Sequence, residues 1–221
     1  FYPLIKTGGL ADVAGALPAA LARLDVKVQS LLPAYPGLAG QLSDLREVTV
    51  FPGLMGGDAR LLQGFGAQAQ EILLLDAPHL YARPGGPYAD AAGQAWPDNP
   101  TRFAAFGWAA REIGLGRTPL PVPDILHAHD WQAGLAPAYL AFSGLPRPRT
   151  VMTIHNLAFQ GLCPPSLLSA FRLPDWSFGI EGLEYFGQIS FLKAGLYYAD
   201  RLTTVSPTYA REIRTTEGGM G

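Results

Sequence analysis

Five short runs rich in Val, Ile and Leu recur along the chain, at Lys27 to Leu32, Glu71 to Leu75, Pro123 to His127, Thr150 to Ile154 and Arg201 to Val205. Runs of this length bounded by turn residues read as strands, and stretches with helical spacing stand between them. Thr101 to Ile113 sets Phe103, Phe106, Ala110 and Ile113 on one helical face, Trp131 to Phe142 forms another helix, and Phe191 to Tyr198 precedes the last run. Ser206-Pro207 reads as an N-cap followed by proline at the first helical position, starting a helix through Ile213. Strands alternating with helices predict an α/β domain with a mostly parallel sheet covered on both faces. Only Val48 to Gly66 departs from the alternation, and it reads as an extra β-hairpin or ribbon.

The segment Lys6-Thr7-Gly8-Gly9-Leu10 joins a strand-like run, Phe1 to Ile5, to a helical stripe of Leu10, Val13, Ala14, Leu17, Leu21 and Leu24. Gly8 and Gly9 open the first turn without a Cβ, so a phosphate can approach the unpaired N–H groups and positive dipole end of that helix. Lys6 adds a mobile ammonium. The competing reading is a plain tight connection, and Lys6 favours phosphate. Pro18 lies within the stripe and predicts a kink. No P-loop occurs, Gly64-Phe65-Gly66 is not continued to a dinucleotide fingerprint, and the hydrolase elbow G-x-S-x-G is absent.

The 221 residues suit one large domain, with 48% apolar residues for a core. Charged residues make up 15%, below the ~25% of typical globular chains, so much of the surface is uncharged or covered. A net charge of −2 and the lack of a Lys/Arg block give no electrostatic reason to expect nucleic acid or a membrane surface as partner. No apolar run reaches the ~18 residues of a membrane-spanning helix. Cys163 is the sole cysteine, which agrees with a reducing compartment, and it reads as an ordinary buried small residue. Both ends of the chain read as cut, so a targeting segment cannot be judged.

In parallel sheets ligands bind beyond the carboxyl ends of the strands. That rule gathers His129-Asp130-Trp131, His155-Asn156, Ser206, and Lys6 with Gly8 and Gly9 onto one expected rim of four strand ends. His127 and His129 at i and i+2 suggest a metal pair, but no third well-spaced ligand supports it, and no metal is expected. A Ser206/His155/Asp130 triad is formally open, although capping accounts better for a serine followed by proline. For Asp130 a cap on the helix starting at Trp131 competes evenly with a functional role; for His129 the structural reading is a hydrogen bond within the sheet edge.

Six ordered blocks then carry a resemblance: Lys6-Thr7-Gly8-Gly9-Leu10-Ala11-Asp12-Val13, Asp76-Ala77-Pro78-His79-Leu80-Tyr81, His127-Ala128-His129-Asp130-Trp131, Thr153 to Gly161, Gly187 to Gly195, and Val205-Ser206-Pro207-Thr208-Tyr209-Ala210. Together they resemble the bacterial glycogen synthase and plant starch synthase family. The resemblance implies a GT-B glycosyltransferase of two Rossmann-like domains. It implies transfer of glucose from ADP-glucose to the non-reducing end of an α-1,4-glucan with retention, without metal or cofactor, in the bacterial cytoplasm. Residues 1–221 resemble its N-terminal, acceptor-side domain, with the C-terminal nucleotide-binding domain of the same enzyme as missing partner.

Carried over by the matching motifs, Lys6 contacts donor phosphate, Gly8 and Gly9 allow close backbone approach, Asp12 sits on the nucleotide side, and Tyr88 in the Pro84 to Tyr88 loop belongs to the donor site. Without the resemblance, that loop's aromatic tip reads as packing. Asp130 and His155 surround the transferred glucose, with Thr7, Asn156, His129, Trp131 and Ser206 as further candidates. Two alternatives stay open: a non-catalytic glucan-binding or interaction module, and a related GT-B enzyme with another donor or acceptor. Retention of Lys6, Asp130 and His155 together argues against the module.

Overall fold

The computed structural model describes residues 1–219, which form two compact units, the first Phe1–Arg102 and the second from Phe103 onward. In the first unit, helix α1 (Gly9–Ala22) precedes strands β1 (Gln29–Pro33), β2 (Ser43–Leu54), β3 (Gly57–Phe65) and β4 (Glu71–Asp76), then the short helix α2 (Pro78–Tyr81). The sheet order is β1-β4-β3-β2, with β1 and β4 parallel and the other two pairs antiparallel. The expected ribbon is therefore β2 and β3. Met55 and Gly56 turn between them, both at positive φ (48° and 99°), as a two-residue primed turn requires. His79 of α2 braces this hairpin, its Nε2 lying 2.9 Å from the Leu54 carbonyl.

Phe1 to Ile5 forms a turn, not the expected strand. Pro3 has no N–H for a ladder, the Ile5 N–H donates to the Phe1 carbonyl at 2.9 Å, and the Tyr2 N–H donates to Ala11 of α1 at 2.8 Å. The run's apolar groups are still used, since Phe1 is buried with Leu38, Leu62, Ile72 and Leu74, and Leu4 and Ile5 pack against them. Helix α1 contains Pro18 and is only half-sunk: Ala11 and Pro18 are buried, whereas Leu24, just beyond its end, is exposed.

Helix α3 (Asn99–Gly114) crosses the boundary between the units in sequence. The second unit continues with β5 (Ile125–His129), α4 (Asp130–Ala133), α5 (Leu135–Phe142), β6 (Arg149–Ile154), β7 (Leu162–Cys163), β8 (Glu184–Tyr185), β9 (Gln188–Ser190), α6 (Phe191–Tyr198), β10 (Arg201–Thr204) and α7 (Pro207–Glu212). Strands β10, β6 and β5 form a parallel sheet in that order, as strand-helix-strand connections dictate. Ala128, Met152 and Leu192 sit in its core. A second, antiparallel sheet of order β7-β9-β8 lies in the stretch between β6 and α6 and was not expected. Among the described residues no helix is long and apolar enough to cross a membrane.

Two devices fix the second unit. At the start of β6, Asp200 accepts from the Thr150 N–H (2.7 Å) and hydroxyl (2.9 Å) and from Arg147 (2.8 Å), and the Arg147 bond above all holds its carboxyl below the usual carboxylate range. At the other device, helices approach backbone to backbone: a Cβ at Gly134 would lie 2.0 Å from the Phe191 carbonyl oxygen. A main-chain oxygen cannot rotate away as a side chain can. Gly134→Ala is therefore expected to lower stability by about 2 kcal/mol or more, at the upper end of overpacking effects. Urea unfolding measures it, and an unchanged midpoint would mean these helices have room to separate.

Candidate active site

In the first unit the start of α1 is open. Gly8, its N-cap, has φ 76° and ψ −171°, a region that essentially only glycine occupies, and no side chain caps the helix. Nothing lies within 4 Å of a Cβ built on Gly8 or Gly9. Lys6 approaches Asp12 of the first turn at 3.3 Å, with both side chains at least half exposed, and its ammonium stands 5.4 Å from the Tyr2 ring centre. Thr7 is half-buried. Lys6 thus leads into α1 from a turn rather than from a strand, and two of the expected donor residues, Lys6 and Asp12, are brought together.

Tyr88 sits half-buried on the loop between α2 and α3. Its carbonyl accepts from Asn99 Nδ2 at 2.9 Å and from the Trp96 N–H at 3.0 Å. Arg102 is fully buried behind this loop. Its guanidinium donates to the carbonyls of Leu80 (2.9 Å) and Pro87 (2.8 Å) and to Asn99 Oδ1 (2.6 Å), so a planar fork spans both ends of the loop's first half. Arg83 closes the loop with two bonds to Asp98, at 2.8 and 2.7 Å. Sequence reasoning missed Asn99 and Arg102; an arginine inside an otherwise apolar helical stretch was the available signal.

In the second unit the carboxyl ends of β5, β6 and β10 do carry a polar cluster. Asp130 follows β5 with φ 54°, a left-handed conformation uncommon outside glycine. Its buried Oδ1 accepts from the N–H groups of His155 (2.7 Å) and Asn156 (3.3 Å), just past β6. Of the two evenly weighed readings of Asp130, the cap does not form: α4 has His129 at its N-cap and no side-chain cap bond, and the Asp130 carboxylate turns instead to the neighbouring strand end. Burial pushes the Asp130 carboxyl up, partly offset by the His155 N–H and by the His155 ring.

His129 ends β5 with Nδ1 3.0 Å from Nε2 of His155. The His127 and His129 rings stack with centres 4.2 Å apart. His127 Nε2 meets the Thr153 hydroxyl at 2.6 Å, and Thr153 meets Thr203 of β10 at 2.6 Å, so a hydrogen-bonded line crosses all three strands. Burial, then the neighbouring His127 and His155, lower the His129 pKa to about 3. His155 is half-buried, with its pKa lowered by burial against the opposing pull of Asp130. Trp131 packs edge-on against Phe103 at 4.9 Å, and Gly161 leaves the space its indole fills: a Cβ there would come within 2.4 Å of the ring. These contacts hold the partly buried Trp131 indole in place.

Ser206 caps α7, its hydroxyl accepting from the Tyr209 N–H at 3.0 Å, as its Pro207 neighbour suggested. The Ser206 hydroxyl is thus engaged as a helix cap, the reading that a serine followed by proline favoured over a triad. Tyr209 in turn accepts from the Leu157 N–H at 2.8 Å, tying α7 to the segment after β6. Cys163 is buried, its thiol pushed up to about 12, which keeps it protonated and inert. Chemically, the first unit offers an anion an open helix start beside an ammonium. The second offers polar hydroxyl groups a fixed imidazole beside a carboxylate-braced main chain.

The whole chain, residues 1–221, matches the family described as starch synthase catalytic domain. Glycogen synthase 2 of Bradyrhizobium diazoefficiens is 59% identical over 220 residues, covering 100% of this chain and 45% of the relative. Glycogen synthase of Granulibacter bethesdensis is 61% identical over 221 residues, covering 100% of this chain and 46% of the relative. Among solved structures, the catalytic domain of starch synthase IV from Arabidopsis thaliana bound to ADP and acarbose matches with a TM-score of 0.82 and 30% identity, over 99% of this chain and 46% of that one. The chain spans about half the length of the curated relatives it matches.

Proposed function

Because the chain belongs to the starch synthase catalytic domain family, we propose that it is the N-terminal, acceptor-side half of a glycogen or starch synthase. In this reading the enzyme transfers glucose from ADP-glucose to the non-reducing end of an α-1,4-glucan with retention. The nucleotide-binding half lies elsewhere in the protein, and the compartment is the bacterial cytoplasm. The observation that carries the proposal is the open start of α1, where Gly8 holds a conformation reserved for glycine, nothing crowds Gly9, and Lys6 stands beside it. Such a place suits the diphosphate of a nucleotide sugar. The ADP bound by the starch synthase IV structure supports a donor of that class.

Retaining transfer builds positive character on the sugar ring and negative charge on the leaving phosphate. Lys6 and the α1 dipole stabilise the departing phosphate, with the glycines letting it approach the main chain. Asp12 holds the Lys6 ammonium near the helix start in an exposed pair that contributes little and so releases it readily. Tyr88, on its clamped loop, meets the donor. His155 orients the transferred glucose, and Asp130 fixes the main chain that carries it.

A direct test separates sugar from nucleotide. His155→Ala in the synthase containing this chain is expected to cut glucosyl transfer by about 10²-fold, in the range of lost general acid-base or positioning groups. ADP affinity by calorimetric titration should stay nearly unchanged. A large loss of ADP affinity would put His155 on the nucleotide instead, and wild-type transfer would remove it from the site.

A further inference from the structure

Two imidazoles meet nitrogen to nitrogen at the end of the parallel sheet. At 3.0 Å between His129 Nδ1 and His155 Nε2, one nitrogen carries a hydrogen and the other does not. His129 is stacked on His127 and kept neutral at physiological pH. The main chain of His155 is fixed separately, through Asp130. What remains to be set for His155 is its ring plane and tautomer.

A neutral pair joined by one N–H···N bond has only two states. If His129 carries its proton on Nδ1, His155 Nε2 must be bare and its proton sits on Nδ1. If His155 carries its proton on Nε2, His129 Nδ1 is bare and its proton sits on Nε2. The tautomers are therefore matched, both Nδ1–H or both Nε2–H, and His129 decides whether the second nitrogen of His155 offers a donor or an acceptor. We propose that His129 is a positioning residue that ties the tautomer of His155 to its own and holds the His155 ring in one orientation for sugar binding. The inference rests on the reading of His155 as the group that orients glucose. Partners that orient a working imidazole in this way typically change activity by about 10- to 100-fold.

The test reads the lock directly. Two-bond proton-nitrogen correlation spectra of the ¹⁵N-labelled chain at pH 7 report the tautomer of each of its 4 histidines. Matched tautomers, in the same proportion at both residues, are expected for His129 and His155 in the wild-type protein. In His129→Phe, the His155 pattern should change while the amide shifts of Thr150 and Asp200, hydrogen-bonded to each other in the same unit, stay as in the wild type as a folding control. His129→Asn, whose amide can donate to or accept from Nε2 of His155, should move the His155 pattern back toward the wild type. In the synthase, His129→Phe should lower kcat by about 10- to 100-fold with ADP affinity unchanged, and His129→Asn should recover most of it. Opposite tautomers in the wild type, an unaltered His155 pattern in folded His129→Phe, or unchanged kcat would each overturn the proposal. Loss of transfer in His155→Ala alongside any of these would show that the lock fails while the role of His155 stands.

Discussion

Lys6→Ala in a synthase carrying this chain is expected to reduce turnover by about 10²-fold or more, the scale of losing one preorganised donor to a developing negative charge. The Lys6 ammonium contributes little to the fold: it is more than half exposed, and its ion pair with Asp12 at 3.3 Å and its approach to the Tyr2 ring at 5.4 Å are contacts of the surface kind. The variant should therefore fold normally, so that a loss of rate reads as chemistry. Charge on the leaving phosphate grows as the glycosidic bond breaks, so the effect should fall mainly on kcat rather than KM. Lys6→Arg should not restore it, because a planar fork needs more room than a point charge beside the α1 main chain. Steady-state kinetics at saturating donor decide the matter, and wild-type turnover in Lys6→Ala would exclude the residue from phosphate stabilisation.

That Lys6 and the α1 glycines stood out in the sequence, while their strand did not materialise, shows what local patterns carry. The five apolar runs became β1, β4, β5, β6 and β10 with ends shifted by at most a few residues, since each is a strand-length run of Leu, Ile and Val flanked by breakers. Phe1 to Ile5 has the same apolar content, but Pro3 and the bond from Tyr2 to Ala11 direct its main chain to α1. Strands β7, β8 and β9 span two or three residues each, too short for any periodicity to register. At the site, the carboxyl-end rule brought Asp130 and His155 together correctly. Their mode of contact was illegible, because a carboxylate bonding main-chain N–H groups some 25 residues onward is a product of the parallel register and leaves no local trace. Ser206, whose cap is local, was read in full.

The 221-residue chain alone is expected to transfer no detectable glucose from ADP-glucose to glycogen, even when folded. It spans about half of the relatives it matches, and in the two-domain arrangement proposed for it the reacting centre has a wall on each side. On that proposal Lys6 and the start of α1 supply one part of the phosphate stabilisation, and nucleotide contacts, further cations and exclusion of water belong to the other half. One lost phosphate-stabilising group costs roughly 3 kcal/mol, and each ~1.4 kcal/mol is tenfold in rate. Two or three such losses multiply to at least about 10⁴-fold, enough to take ordinary synthase turnover below the background of a radiolabel incorporation assay. The measurement is labelled glucose incorporation by the purified chain, with the Lys6→Ala chain as control and the same chain joined to the nucleotide-binding half of a relative as positive reference. Robust incorporation by the chain alone that Lys6→Ala abolishes would mean that a single wall suffices. The division of labour between halves would then be wrong, while the role of Lys6 would stand.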